Sequence, residues 1–143
     1  MIRVVIDTNV VVSANLADET PPAAIFLLAC RRKLIQMCIS PVVLAEYEEV
    51  LRRPRLNIAE EKVQASLTLI RDAAYVVHPT TTLNISSHDS DNRFYECAEA
   101  AGADYIITGN TRHFLQQFEN IRIVTPQQFL EIIAPQLAQE GNQ

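Results

Sequence analysis

An α/β sandwich built on a central, mostly parallel sheet is what the sequence predicts, and three observations carry that expectation. Short β-branched runs such as Val4 to Ile6 and Ile121 to Val124 alternate with stretches of helical periodicity. The first run is continuously apolar, as strands covered on both faces are. The helical stretches begin and end at capping residues, prolines and one glycine. With 143 residues, 48% of them apolar, the chain suits one globular domain with an ordinary core, expected over residues 1–133 with a tail at 134–143.

Taken in order, Arg3 to Ile6 reads as the first strand, followed by helix around Thr8 to Ala14 and again from Pro21 to about Lys33. In the second helix Ala24, Ile25, Leu28 and Ala29 form one stripe, and Arg31, Arg32 and Lys33 suit the negative end of the helix dipole. Gln36 to Ile39 is a second strand. Ser40 then offers an N-cap and Pro41 an N1 residue for a helix to about Arg53, where Pro54 stops it. Val63, Leu67, Ile70 and Ala74 mark a helix from Ala59 to about Ala74, leading into a third strand at Tyr75 to His78. Pro79 to His88 is a polar loop. Asp89 or Ser90 opens the next helix, with Asp89 read as its cap and Gly102 as its left-handed C-cap. Asp104 to Thr108 and Ile121 to Val124 are strands, and Pro126 to Ile133 is a final helix after a Thr125 cap, with fraying expected from Ala134.

Composition narrows the function. No apolar run approaches the ~18 residues needed to span a bilayer, and no basic segment followed by a long apolar one opens the chain. A soluble, cytoplasmic protein with no membrane partner is expected. Cys30, Cys38 and Cys97 are odd in number and widely spaced among apolar neighbours, which argues against a disulfide framework or a zinc cluster. His78, His88 and His113 are scattered in sequence and are read as unclustered. The formal charge of −5 gives no general attraction for nucleic acid, so phosphate binding needs local basic patches or bound cations.

In a parallel sheet, ligands bind outside the carboxyl ends of the strands. Asp7 follows the first strand, Ser40 the second with Glu46 further into its helix, Asp89 and Asp91 follow the loop after the third, and Gly109 and Asn110 follow the fourth. Buried carboxylates persist in a cluster only if hydrated, protonated or bound to a cation, and hard divalent ions select such oxygens. Each residue also has a plain structural reading: Asp7 as the cap of the helix starting at Thr8, Asp91 as a first-turn charge favoured by the dipole, Asn110 as a turn terminator. Glu46 and Glu48 both fall at the edge of the stripe formed by Val43, Leu44, Tyr47, Val50 and Leu51, and periodicity does not choose between them. Asp91 shares a helix face with Phe94, Tyr95 and Ala98.

Four stretches, "VVIDTNVVVSA", "SPVVLAEYEEVL", "SDNRFYECAEAAGADYIITGN" and "TRHF", resemble in order and spacing the PIN-domain family, and within it the single-domain toxin components of toxin–antitoxin pairs. The resemblance implies a PIN-like α/β/α fold and a ribonuclease dependent on Mg²⁺ or Mn²⁺, with Asp7, Glu46 and Asp91 as catalytic metal ligands. It thereby favours Glu46 over Glu48. A fourth acid of many relatives corresponds here to Asn110, and His88 stands where relatives often have an acid, leaving Asp89 to help from outside the ligand set. RNA is the implied substrate, cut to leave a 5′-phosphate and a 3′-hydroxyl; a small antitoxin protein and a second copy of the chain are the implied partners.

Such chemistry is metal-assisted phosphodiester hydrolysis, and it needs no serine or cysteine nucleophile. Arg93 and Arg112, adjacent in sequence to the proposed ligands, are the residues expected to position RNA, while Arg31–Lys33 and Arg52, Arg53 and Arg55 read equally as solvated helix ends. Clustering should raise at least one carboxylate pKa in the metal-free protein. A phosphoacceptor receiver domain lacks its acidic pair and late lysine here, and Gly102, Gly109 and Gly141 build no phosphate loop. The remaining alternative is a PIN-like RNA- or protein-binding module with weak or no nuclease activity, which the Asn110 departure favours.

Overall fold

Val4, Val5 and Ile6 are each fully buried, which for consecutive strand residues requires cover on both faces of the sheet. The computed structural model describes residues 1–31 and 34–141 and supplies that cover. Its strands are β1 (Ile2–Ile6), β2 (Ile35–Ile39), β3 (Tyr75–Val76), β4 (Tyr105–Ile107), β5 (Gln117–Phe118) and β6 (Ile121–Val124). Its helices are α1 (Thr8–Leu16), α2 (Pro21–Arg31), α3 (Pro41–Leu51), α4 (Glu60–Ala73), α5 (Asp89–Ala101) and α6 (Pro126–Gly141), with 3₁₀ turns at Pro54–Leu56 and Thr111–His113.

The six strands lie in the order β3-β2-β1-β4-β6-β5. All pairings are parallel except β5 with β6. β1 is therefore central: Val4 pairs with Met37 of β2 on one side and with Tyr105 of β4 on the other. The chain leaves β1 toward β2 and β3, then returns to add β4 on the opposite flank. The crevice between the carboxyl ends of β1 and β4 is thus the topological switch point, where open α/β sheets bind ligands.

Local chemistry accounts for the helix bounds. The Ser40 hydroxyl accepts the Val43 N–H at 3.2 Å and Pro41 occupies the first turn of α3. Gly102 ends α5 at φ +60°, a left-handed conformation in which a side chain is strained. α5 presents Phe94, Tyr95, Cys97 and Ala98 to the core, and Tyr47 of α3 is buried with its hydroxyl donating to the Ile6 carbonyl, which pins the end of β1. Burial pushes the Cys38 thiol up to about 11 and that of Cys97 to about 12, so neither is a nucleophile, and all three cysteines are free.

Three differences from the sequence reading have physical causes. The last helix does not stop at Ile133: it runs on to Gly141 with Pro135 inside it, after Phe129 and Ile133 have anchored it in the core. β3 is shorter than expected and lies at the sheet edge with both residues exposed, although the Val77 N–H still bonds the Ile39 carbonyl at 2.8 Å. β5 is unanticipated; it is two residues long and too short for any periodicity, and it turns back on β6 through Glu119 at φ +54°. Arg32 and Lys33, the expected end of the second helix, lie outside the described residues. Among the described residues no helix is long and apolar enough to cross a membrane.

Candidate functional site

Asp7 sits one residue past β1, in extended backbone, with its N–H bonded to the Ile107 carbonyl at 2.9 Å. Its Oδ1 accepts the Thr8 N–H at 2.8 Å, so the helix-cap reading holds. That leaves Oδ2, which accepts the hydroxyl of Thr108 at 2.7 Å. Thr108 is completely buried and lies just past β4, so this hydrogen bond spans the switch point.

Glu46 and Glu48, which periodicity could not separate, face different neighbours. The Thr8 hydroxyl donates to Oε2 of Glu46 in a short contact, whereas Glu48 forms an ion pair with Arg71 of α4. Asp91 lies in the first turn of α5, with the Ser86 hydroxyl 3.4 Å from its Oδ2. The loop before it is held by Asn92, which is buried: its Oδ1 accepts the N–H groups of Ile85 and Ser86 at 2.9 and 2.8 Å, and its amide donates to the Ser86 carbonyl at 2.9 Å. Asn110 lies beyond β4, its N–H donating to the Thr108 hydroxyl at 3.0 Å.

Asp7, Glu46, Asp91 and Asn110 line one pocket of about 430 Å³. The Asp7 carboxyl is pushed up to about 6, chiefly by burial and further by the charges of Asp91 and Glu46, against the opposing hydrogen bonds from Thr108 and Thr8. Clustering thus contributes to the raised pKa the sequence led one to expect, but desolvation is the larger cause.

Among the described residues no group of three or more His, Cys, Asp or Glu side chains is arranged to hold a metal ion as it stands. Glu46 is engaged by Thr8, and like charges without a cation do not draw together. In donor type and shared location the residues nonetheless fit a hard divalent cation: two aspartates, one glutamate and an amide carbonyl, all oxygen, around one pocket.

Two expectations are corrected, those for Asp89 and for the histidines, and both arginines expected to position RNA lie away from the acidic pocket. Asp89 does not cap α5; His88 holds that position, without a side-chain cap bond, and Asp89 is an exposed first helical residue outside the acidic pocket. Arg93 does not face the acids. It pairs with buried Glu96 three residues on, at 2.9 Å, and opens toward a separate cleft with His78 and Pro79. Its Nη2 donates to Oε2 of Glu96 at 2.9 Å, while its buried Nε, equally near Oε1, makes no hydrogen bond. Arg112 also misses the acidic pocket, lining instead an adjacent cleft and a groove of about 720 Å³ along β5, β6 and α6. The cations that do line the acidic pocket are Arg53, paired with Glu49 at 2.9 Å, and Arg55, which has no ion-pair partner among the described residues. Finally, His88 and His113 are not scattered in space: their rings stack with centroids 5.3 Å apart.

Thr8, Thr108 and Asn92 were not picked out as site residues from the sequence. A buried threonine after an "YII" strand carries no local mark of the carboxylate it meets 101 residues away. For Thr8, the sole available signal was its place beside Asp7.

A mostly parallel α/β sheet with acids lining a pocket at its switch point is the class of architecture the fold defines. Within that class the chain belongs to the PIN-domain family: the family model described as PIN domain matches residues 3–112. It is similar to an uncharacterized protein of Methanocaldococcus jannaschii, 29% identical over 91% of this chain and 90% of that one. Its fold is shared with a chain in the crystal structure of VapBC2 from Rickettsia felis bound to a DNA fragment from their promoter, with a TM-score of 0.59, 16% identity, and coverage of 87% of this chain and 98% of that one. PIN domains are in general nucleases.

Proposed function

We propose that the protein is a metal-dependent endoribonuclease, with Asp7, Glu46 and Asp91 as the ligands of Mg²⁺ or Mn²⁺ and Asn110 as an auxiliary oxygen donor. The single observation that carries this reading is the shared pocket: three acids from α3, α5 and the end of β1 line it at the switch point, and no cation among the described residues pairs with Asp7. When bound, a divalent ion there supplies Lewis acidity, lowering the pKa of water and offsetting phosphate charge during in-line hydrolysis.

The chain's own residues prepare that chemistry. Thr108 and the Thr8 N–H hold both oxygens of Asp7, fixing the carboxylate's plane and favouring its ionised form. The Thr8 hydroxyl orients Glu46, and Asn92 braces the loop that delivers Asp91. Arg55, at the rim of the same pocket, offers a phosphate contact that orients RNA without reading its sequence. Hydrolysis adds water across the phosphodiester, leaving a 5′-phosphate and a 3′-hydroxyl.

The test is cleavage of a labelled single-stranded RNA with and without Mg²⁺. Products that need the ion, and that fall at least about 100-fold in Asp7→Asn, support the reading. Binding without products would favour the alternative, a module that binds RNA or protein; Asn110 in place of an acid is the feature that speaks for it. The family and the VapBC2 fold likeness also support a toxin restrained by a small antitoxin protein; a cytoplasmic location and a homodimer are part of the same proposal. Induced expression that leaves growth unchanged, identically to Asp91→Asn, counts against the toxin role.

A further inference from the structure

The stacked histidines stand beside the acidic pocket, and metal-assisted hydrolysis leaves them without a task. His113 lines both that pocket and a neighbouring cleft of about 320 Å³, and His88 and Arg112 line the same cleft. All three side chains are exposed. We propose that this cleft is a nucleotide subsite of the nuclease, in which a base of single-stranded RNA stacks on the His88–His113 pair while Arg112 meets a phosphate of the same strand. The proposal rests on the nuclease reading for its ligand and extends it to substrate positioning.

Several observations converge on a built platform rather than two loose side chains. His113 belongs to the Thr111–His113 turn, and the chain just beyond it is fixed from beneath: Phe114 is buried against Tyr95, ring centroids 5.3 Å apart. The Leu115 N–H donates to the Tyr95 hydroxyl at 2.8 Å. Tyr95 in turn packs edge-on against Phe118 of β5. On the other side, His88 is the N-cap residue of α5, yet its ring makes no cap bond, which leaves the imidazole available for stacking. Its N–H donates to the Ser86 hydroxyl at 3.1 Å, and Ser86 is itself held by buried Asn92. Two histidines 25 positions apart are thereby brought face to face by scaffold contacts that do not involve either ring.

Their chemistry selects the ligand. Every nucleobase has a π-face, so aromatic stacking captures single strands with little regard to sequence, and a guanidinium beside the platform tracks the backbone. A duplex keeps its bases stacked on one another and offers none to the pair. The cleft adjoins the acids through His113, so a strand whose scissile phosphate lies over Asp7, Glu46 and Asp91 continues onto the platform. Arg112 thereby keeps the RNA-positioning role expected of it, at the flanking nucleotide and away from the acids.

The experiment uses the full chain carrying Asp7→Asn, with fluorescein-labelled ten-nucleotide oligouridylate as probe and anisotropy as readout in EDTA. His88→Ala with His113→Ala should weaken binding about 5- to 100-fold, and Phe at both positions should restore most of it, because a benzene ring stacks as an imidazole does. Arg112→Ala should weaken binding more modestly and flatten its salt dependence. Equal affinity for the double-alanine variant, failure of the phenylalanine pair to rescue, or equal affinity for a duplex of the same length overturns the subsite. Circular dichroism on each variant separates these results from unfolding. Cleavage measured separately in the Asp7 parent background distinguishes the two proposals: RNA binding that depends on the histidines without any Mg²⁺-dependent cutting sinks the nuclease and keeps the subsite, while cutting with an unchanged KM in the double-alanine variant does the reverse.

Discussion

Asp7 and Glu96 are nearly equally buried, at 8% and 9% exposure, and their surroundings are opposite. Glu96 accepts the Leu83 N–H at 2.9 Å and holds the guanidinium of Arg93, so its charge is neutralised and its bonds tie a loop to α5. Asp7 has a hydroxyl and an N–H but faces Asp91 and Glu46, and no cation among the described residues answers it. Burial alone therefore says little about a carboxylate; its partners decide whether it supports the fold or is held in readiness. The first arrangement favours stability and the second costs some of it, a cost that the proposed cation would offset.

The sharpest way to test that contrast is to remove the paired acid. Glu96→Ala strands a partly buried guanidinium and frees the Leu83 N–H, and should destabilise the protein by about 2–3 kcal/mol, less than a fully buried pair would because Arg93 is partly solvated. Urea denaturation reads this directly; a loss below about 0.5 kcal/mol breaks the comparison.

A change at Asp7 should run the other way. In the unfolded chain its carboxyl titrates near 3.8, and in the folded chain near 6. Between those values the folded state holds the extra proton, so the metal-free protein loses stability as pH rises from about 4 to about 6, and Asp7 is a net liability above that. Asp7→Asn keeps an oxygen for the cap and removes the charge. It should stabilise the metal-free protein by about 1–2 kcal/mol at pH 7 and by almost nothing at pH 4. Denaturation in EDTA at the two pH values checks the sign, and addition of Mn²⁺ should raise the stability of the parent alone.

The smallest effect is expected at Thr108→Val, which deletes the hydroxyl that favours ionised Asp7 while keeping the side chain's shape. Mn²⁺ affinity at neutral pH should fall about tenfold, and less at higher pH, as the proton competes less. Calorimetric titration across pH distinguishes this from a general loss of folding.

How much of this could be read along the chain varies with the range of the interaction. The apolar run at Val4 to Ile6, the Ser40–Pro41 start and the Gly102 stop are local signals, and the corresponding strand and helix ends stand where they were expected. Asp7, Glu46, Asp91 and Asn110 could be picked out because each follows a strand end or lies within the helix after one, and because four motifs resemble one family. Arg93 was misplaced because a residue's sequence distance from a ligand says nothing about which cleft its long side chain enters. Its partner Glu96, one helical turn away, was in plain view but looked like any other charge on a helix.

What the residues determine by themselves is periodicity, caps and the acids that recur after successive strands, since these depend on 3.6-residue and two-residue repeats that neighbours along the chain share. Tertiary structure alone decided that Thr108 meets Asp7, that Glu48 pairs with Arg71, and that His88 stacks on His113. The reason is that such contacts depend on strand order and on the path of the connecting loops. Strand pairing with β1 at the centre brings the ends of β1 and β4 side by side, and no local repeat encodes which distant strand end will be the neighbour.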